Sequence, residues 1–417
     1  MIRLLVYLTA FLYCFVWLRL PDIAGIDFPL QRLVAWFSVV AVFINISLRK
    51  KFLAGPFAKR FILFVFIFLL NMVINLLWNY KNPSFGFIYY LMDFSKYIAA
   101  FAVAYLMYFA LKKKIVSIDK INKYLKWSTS LAILLTFLSL ALYIIGFRTD
   151  NEILLRTWGS AWGVIPTGGF FPRLAGTTSE PQQFSIIYLT PVLLLLAINK
   201  GKLTLIPILG IVALLLSQSK FSLLTVVVIF AFSFLLNKKG RMFYLIAGVC
   251  ALPFVINTIM KLPVFSRTLE QGSNSLALQE RFENAFIMTN IIKNEFLFGI
   301  GAGQYGTYRS LILPVEFNPS YYPNNDYLKV FSELGLLGFL VLIWFFISVT
   351  VFSIKSYKKM DADKRHLFLA VCIGTLVIAL NMIIGYELLH IFFWINLGIL
   401  FYMGENYPRE LNTEIRT

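Results

Sequence analysis

Cysteine and histidine are scarce in this sequence of 417 residues, which contains three cysteines and two histidines. Cys14, Cys250 and Cys372 all lie inside apolar runs, with no CxxC spacing and no histidine nearby. This pattern indicates neither a disulfide framework nor a zinc site. His366 and His390 stand alone at the ends of apolar segments, which gives no support to a histidine-based catalytic triad. We therefore expect no metal and no cofactor.

Charged residues are also few, at 14% of the chain, whereas hydrophobic residues make up 59% and the mean hydropathy is +0.77. Soluble domains do not have this composition. About twelve apolar runs have the length of a membrane-spanning helix. They cover roughly residues 2–18, 30–48, 61–79, 86–111, 127–147, 183–199, 203–217, 221–236, 242–260, 334–354, 366–385 and 390–404. The sequence therefore predicts an all-α polytopic integral membrane protein, with residues 1–417 forming a single membrane domain.

The net charge of +18 would favour a nucleic-acid partner in a soluble protein. When the connectors are assigned to alternate sides of a membrane from a cytoplasmic N-terminus, roughly two thirds of the Lys and Arg residues fall on the cytoplasmic side. This is the distribution that the positive-inside rule requires. We therefore attribute the charge to topology, expect no nucleic-acid partner and predict that both termini are cytoplasmic.

Two long connectors fall on the outer side, over about residues 147–182 and 261–333. Long connectors in compact proteins are usually functional or disordered. These two contain many Trp, Tyr and Phe residues interspersed with Gly and Pro, which favours folded loops. We therefore predict two large outer loops that carry the active site.

Arginine outnumbers lysine in the outer connectors, whereas lysine dominates the predicted cytoplasmic ones. Guanidinium groups bind phosphate and carboxylate in a planar, bidentate manner. For any single arginine, a salt bridge with an outer-loop acid is the simpler explanation. For the group, we expect a multiply charged anionic ligand. The seven predicted outer arginines are Arg19, Arg148, Arg156, Arg173, Arg267, Arg281 and Arg309.

Two polar motifs lie near predicted helix ends. Glu180 precedes Pro181 where a predicted span begins, so it is either a carboxylate base or a first-turn residue that complements the helix dipole. Ser217–Lys220 is a polar segment between two short apolar runs. It forms either a short external turn or part of a cavity lined by a cation.

Three further motifs leave alternatives open. Gly299–Gly303 spells G-x-G-x-G and follows no βαβ pattern, which excludes a dinucleotide-binding interpretation. Asp326 is either a base or a turn residue. Asp93 and Lys96 stand three residues apart in a predicted span and can pair on one helix face, for function or for packing.

In order and spacing, these motifs resemble the bacterial O-antigen polymerase and O-antigen ligase superfamily of lipid-linked glycan transferases. The resemblance covers about residues 173–345. The matching positions are Arg173, Gly176, Glu180, Pro181, Ser217–Lys220, Arg281, Gly299–Gly303, Asn325–Leu328 and Glu333–Gly338.

The resemblance implies a GT-C-like membrane fold and a reaction in which an acceptor hydroxyl attacks C1 of a sugar linked to a polyprenyl diphosphate. It implies that Arg281 and Arg173 bind the diphosphate with Lys220 as a third cation. Glu180 or Asp326 would be the base. The remaining matching residues would contribute to substrate binding, namely Asn325, Gly301, Gly303 and Glu333.

Two departures from the family pattern favour a polymerase over a ligase. Ligases usually present a histidine where this chain has Asn324-Asn325-Asp326, and Lys220 replaces an arginine. We therefore expect a polymerase of undecaprenyl-diphosphate-linked repeat units, for O-antigen, capsule or exopolysaccharide, in the bacterial cytoplasmic membrane. Membrane lipid and a chain-length regulator are the expected partners. A ligase to lipid A core and a flippase for lipid-linked oligosaccharide are the alternatives.

Overall fold

A computed structural model describes residues 1–16, 18, 29–49, 55–82, 85–145, 164–165, 172–178, 180–237, 276–313, 318 and 321–407. These residues form thirteen α-helices. They are α1 Ile2–Phe11, α2 Leu30–Arg49, α3 Pro56–Asn79, α4 Phe87–Lys112, α5 Ile118–Ile144, α6 Pro181–Ile198, α7 Leu205–Leu216, α8 Lys220–Leu236, α9 Leu276–Asn294, α10 Tyr305–Ile312, α11 Asp326–Lys359, α12 Ala362–Asn381 and α13 Ile391–Asn406.

Two short strands interrupt the helical fold. β1, Val164–Ile165, pairs antiparallel with β2, Arg173–Leu174, with Val164 opposite Leu174. Within the described part of the chain, the predicted all-α architecture therefore needs this small correction.

Eleven of the twelve predicted spans coincide with helices, and the remaining one, at about 242–260, lies outside the described residues. Among the helices that the structure describes, six are long and apolar enough to cross a membrane, and four shorter ones are also apolar. These are the features of a helical integral membrane protein, while the count of twelve spans stays a prediction. The six long helices are Pro56–Asn79, Phe87–Lys112, Ile118–Ile144, Pro181–Ile198, Asp326–Lys359 and Lys364–Asn381.

The chain divides into two compact units, each assembled from segments that are distant in sequence. The first unit comprises Met1–Ser38, Ala110–Gly272 and Ala362–Thr375. The second comprises Val39–Phe109, Ser273–Asp361 and Leu376–Thr417. Much of both predicted outer loops lies outside the described residues, including Arg148, Arg156 and Arg267, and so does Arg19 in the first outer connector.

In the first unit, α6 packs against α5, α7 and α8, and α1 packs against α5. Nearly every side chain of α6 is buried, which explains why its sequence shows no polar face. The segment before α6 is tied to the short 3₁₀ helix Leu12–Cys14 that follows α1, because the Thr177 hydroxyl donates to the Cys14 carbonyl. The N-terminus of α6 therefore has a fixed position within this unit.

In the second unit, α11 packs against α3, α9 and α13 around an aromatic core. Phe64 and Phe345 stack with their ring centroids 4.1 Å apart, and Phe61, Phe101 and Trp394 surround them. All of these positions lie in predicted spans. Their large buried rings pack α3, α11 and α13 together. The polar site lies at one end of this aromatic core.

Helix α11 begins at Asp326, earlier than the predicted span at about 334, because the Asn325 side chain caps it by accepting from the Leu328 amide at 2.9 Å. The helix is broken at Gly335, which has φ 68° and ψ −170°. A Cβ atom there would lie 2.1 Å from the Leu297 carbonyl oxygen. Only glycine fits both this conformation and this close approach.

In the second unit, segments that were predicted to be outer connectors contact one another. The Gly86 amide donates to the Gln304 side chain at 2.8 Å, and the Leu388 amide donates to Asp326 at 2.8 Å. Predicted inner connectors meet separately, since Glu405 accepts from the Phe57 amide at 2.9 Å. This sorting is what the alternating topology requires, although the side of the membrane stays a prediction.

Candidate functional site

A small polar cavity of about 30 Å³ lies in the second unit, between α4, α11 and the loop before α10. Its wall is both charged and aromatic, and Met92 at its mouth is 44% exposed. A space of this size holds about one water-sized group. The lining residues are Tyr89, Met92, Asp93, Lys96, Gly303, Tyr321, Tyr322, Lys329 and Glu333.

Four charged side chains form a continuous chain of ion pairs along this cavity. Lys96 Nζ lies 2.6 Å from Asp93 Oδ1, which confirms the predicted pair within α4. Asp93 Oδ2 contacts Lys329 Nζ at 2.8 Å, and Lys329 Nζ contacts Glu333 Oε2 at 2.7 Å. Lys329 and Glu333 are 2% exposed and Asp93 is 7% exposed, whereas Lys96 is 24% exposed. The chain therefore runs from a buried end to an accessible one.

Lys329 is a site residue that the sequence reasoning missed. It bridges two carboxylates from different helices, and its Nζ lies 4.3 Å from the centre of the Tyr322 ring. The available signal was local, because Lys329 and Glu333 are four residues apart on one helix face. The bridge to Asp93 spans 236 positions, and no periodicity in the sequence indicates it.

Backbone amides of the glycine-rich loop and of the start of α10 donate hydrogen bonds to Glu333. The Gly301 amide donates to the Glu333 carbonyl at 3.0 Å, and the Tyr305 amide donates to the Glu333 carboxylate at 3.0 Å. A Cβ atom on Gly303, whose φ is 71°, would lie 2.6 Å from the Tyr89 carbonyl oxygen. Glycine is required at Gly303 because the backbone of α4 approaches so closely.

An asparagine stripe on α3, formed by Asn71, Asn75 and Asn79, fixes the same region. Asn71 donates to the Leu334 carbonyl at 3.1 Å, Asn75 to the Glu333 carbonyl at 2.9 Å and Asn79 to the Gly299 carbonyl at 3.1 Å. Asn75 also donates to the Phe298 carbonyl. These carbonyls come from the break in α11 and from the glycine loop. In a membrane they need such donors, because no water replaces the lost helical bonds.

Asp326 is buried at the start of α11, outside the lining of the cavity. Its two carboxylate oxygens accept from the Tyr322 hydroxyl at 2.7 Å and from the Leu388 amide at 2.8 Å. Asn325 is the cap of the helix. The structure thus gives both residues contacts that position α11, and their predicted roles in catalysis and binding stay predictions.

Two tyrosines of the cavity wall remain protonated at neutral pH. Burial and the neighbouring Asp326 carboxylate hold the pKa of Tyr322 well above its ordinary value. Burial and the hydrogen bond to Glu280 raise the pKa of Tyr321 to about 12. Tyr321 donates to Glu280 at 2.6 Å and accepts from Asn284 at 2.7 Å. Both hydroxyls therefore act as neutral donors.

Of the outer arginines, Arg309 lies against the cavity wall and Arg281 does not. The Arg309 guanidinium is 4.2 Å from the centre of the Tyr321 ring and 3.5 Å from Glu283. Arg281 occupies the exposed face of α9. Its predicted contact with a diphosphate stays a prediction.

In the first unit, three motifs that are separate in sequence come together. Arg173 Nε lies 3.5 Å from the Ser217 carbonyl oxygen. Burial lowers the pKa of Arg173, and the Glu180 charge partly offsets this. Glu180 precedes α6 and is exposed, and Lys220 is the first residue of α8, with a side chain outside the described part of the structure.

Serine hydroxyls join the two helix starts in this unit. Ser185 in the first turn of α6 and Ser222 in the first turn of α8 are hydrogen-bonded, and Ser222 also contacts the Ser217 hydroxyl. Helix N-termini favour anions because their amides are unpaired and their dipoles point positive. The half-buried Arg173 thus lies at a corner suited to an anionic group, and the predicted joint binding of a diphosphate by Arg281, Arg173 and Lys220 stays a prediction.

Metal-binding geometry does not occur among the described residues, since no group of three or more His, Cys, Asp or Glu side chains is close enough to hold an ion.

Residues 205–343 match the family model described as O-Antigen ligase. This part of the chain is therefore similar to the O-antigen polymerase and ligase superfamily. Members of this superfamily are membrane enzymes that transfer glycans.

The match to the superfamily covers about a third of the chain, from α7 into α11. It includes the Ser217–Lys220 turn, the glycine loop, Lys329 and Glu333, whereas Asp93 and Arg173 precede it. A comparison with curated proteins finds no significant match. The superfamily includes both ligases and polymerases, and the match does not distinguish them.

Proposed function

We propose that this protein polymerises polysaccharide repeat units, by transferring a glycan from undecaprenyl diphosphate to the next lipid-linked repeat unit. The supporting observation is that the second unit contains an apolar groove as well as the polar cavity. The groove encloses about 520 Å³ and is lined by Leu76, Leu77, Tyr80, Phe85 and Phe87.

Residues 85–89 contribute side chains to both the groove and the cavity. Phe87 lines the groove and Tyr89 lines the cavity, two residues further along α4. Between Phe85 and Phe87, the Gly86 backbone is held by Gln304, whose amide donates to the Gly86 carbonyl at 2.9 Å. An isoprenoid chain fits an apolar groove, and sugar hydroxyls fit a charged, tyrosine-lined cavity. A substrate with both parts is a lipid-linked saccharide.

In the first unit, considered by itself, Arg173 and the helix starts of α6 and α8 are the groups that suit a diphosphate. In the reaction, the acceptor oxygen bonds to C1 of the donor sugar as the bond from C1 to the diphosphate oxygen breaks. The electron pair leaves with the diphosphate, and the hydroxyl proton passes to a base and then to water. Guanidinium and helix-terminal amides stabilise the charge that develops on the leaving group. Glu180, exposed beside Arg173, is the candidate base in this unit.

The polymerase role is favoured over the ligase role by the Asn324-Asn325-Asp326 segment. Ligases of the superfamily usually carry a histidine there, whereas here Asn325 caps α11 and Asp326 anchors it. We place the reaction on the outer face of the bacterial cytoplasmic membrane, where the two predicted outer loops lie. A chain-length regulator is the expected protein partner.

The test is reconstitution with a lipid-diphosphate-linked repeat unit, first alone and then with lipid A core. Products that grow without lipid A core support the polymerase. Transfer only when lipid A core is added identifies a ligase. Movement of unaltered lipid-linked glycan across sealed vesicles would contradict glycan transfer and identify a transporter.

A further inference from the structure

The ion-pair chain of the cavity has one member that a ligand can replace. Three of its four side chains are nearly fully buried and held by fixed partners. Lys96, at 24% exposed, is the accessible member, and it occupies Asp93 Oδ1. Glu333 Oε1, by contrast, is already bound by the Tyr305 amide. The Asp93 oxygen that faces Lys96 is therefore the position most open to a ligand.

We propose that this cavity binds a single hydroxyl group of the acceptor saccharide, with Asp93 as its hydrogen-bond acceptor. The inference rests on the proposed glycan transfer. In it, Lys329 and Glu333 are positioning residues, because Lys329 fixes Asp93 and Glu333 fixes Lys329. The Tyr321 and Tyr322 side chains line the same cavity.

The charge and the size of the cavity both favour a hydroxyl. Two carboxylates face two lysines, so the lining is close to neutral and offers a diphosphate no excess of positive charge. The carboxylates already share Lys329, which leaves little attraction for a free cation. A hydroxyl both donates and accepts, so it can pair with a carboxylate and an ammonium at once. About 30 Å³ admits one such group, while the rest of the sugar stays outside.

The experiment separates acceptor binding from donor binding in the reconstituted full-length protein. The donor, at saturation, is the lipid-diphosphate-linked repeat unit with its acceptor hydroxyl methylated, so that it cannot serve as its own acceptor. The varied acceptor is a water-soluble methyl glycoside of the repeat unit. Inhibition by undecaprenyl diphosphate reports the donor site independently. The variants are Asp93→Asn and the triple variant Asp93→Asn, Lys329→Met and Glu333→Gln, in which the partly exposed Lys96 is the one charged side chain left in the cavity lining.

The acceptor KM is expected to rise about tenfold or more in both variants, since a hydrogen bond to a charged group is lost, while inhibition by undecaprenyl diphosphate stays unchanged. Lys355→Met, an exposed lysine on α11, is the control and should match the wild type. An acceptor KM within twofold of wild type in folded Asp93→Asn and triple variants overturns the hydroxyl site while leaving glycan transfer intact. No product from the wild type overturns the proposed function itself, and this assignment with it.

Discussion

Lys329 is the cation on which the polar cavity of the second unit depends. It is 2% exposed and is the shared partner of Asp93 and Glu333. Burying charges is costly, and such a pair is retained only where geometry and hydrogen bonds compensate. Removing the shared cation leaves two carboxylates facing each other in a site with little water.

Lys329→Met is therefore expected to lower the free energy of unfolding by about 3–5 kcal/mol, as removal of one member of a buried ion pair does. Thermal unfolding of the purified protein in detergent measures this loss. Adding Asp93→Asn and Glu333→Gln should restore most of it, because no buried carboxylate is left without a cation and the remaining Lys96 is partly exposed to solvent. A melting temperature for Lys329→Met equal to that of Lys355→Met would mean that the ion pairs do not hold the site together.

Arg173 and the starts of α6 and α8 form the anion corner of the first unit. A positive charge alone is not enough there to bind a phosphate group tightly. Arg173→Lys keeps the positive charge but loses the planar fork that binds phosphate oxygens in pairs. We expect the donor KM to rise about tenfold or more, with Lys202→Met, an exposed loop position, as the unaffected control.

The resemblance predicts the same loss for Arg281→Lys, although Arg281 is exposed on α9. Product at the wild-type level from that variant, at equal protein level, would remove Arg281 from the site. The same result from Arg173→Lys would remove the anion corner from the mechanism.

At the scale of elements, the break in α11 and the asparagine stripe of α3 together position Glu333. Gly335 turns the helix, and the freed carbonyls of Glu333 and Leu334 accept from Asn75 and Asn71. The same stripe reaches the glycine loop through Asn79. These hydrogen bonds set the position of Glu333 relative to α3, and hence the position of the cavity.

Asn75→Leu should destabilise the protein by about 1–3 kcal/mol, because the Phe298 carbonyl loses its Asn75 donor and the Glu333 carbonyl keeps the Gly301 amide but loses Asn75. Val73→Leu, at an exposed position of the same helix, should have little effect. Equal melting temperatures for the two variants would show that the stripe does not support the break.

Gly335→Ala should prevent correct folding, since its Cβ would meet the Leu297 backbone and its φ is positive. The matched control is Gly210→Ala in α7, where the nearest heavy atom would be 3.5 Å away. Because alanine favours helices over glycine, the control should be neutral or slightly stabilising. The yield of monodisperse protein on gel filtration measures both, and equal yields would contradict the strain at Gly335.

At the scale of the whole molecule, apolar runs are enough to predict eleven helices, because a span needs only length and hydrophobicity in the sequence. The pairing of Asp93 with Lys96 was also predictable, since it follows from spacing within one helix. The bridge to Lys329, the asparagine contacts and the meeting of Arg173 with Ser217 were not. They join residues far apart in the chain, and only the packing of helices brings them together. The stripe of Asn71, Asn75 and Asn79 was nonetheless visible as a polar face in an apolar span.

The predicted topology has its own test, supported by the separate grouping of outer and inner connectors in the second unit. Reporter fusions after Arg173 and after Gly272 should show placement on the outer side of the membrane. A fusion after Lys202 should show cytoplasmic placement. Cytoplasmic signal from either of the first two fusions would reverse the assignment of the site to the outer face.

The most direct test of the central claim is the product of the reconstituted wild-type protein given only the lipid-diphosphate-linked repeat unit. Mass spectrometry should show glycans that increase by whole repeat units. One undecaprenyl diphosphate should be released for each new linkage. Unchanged donor, or release of undecaprenyl diphosphate without lengthening of the glycan, would contradict polymerisation.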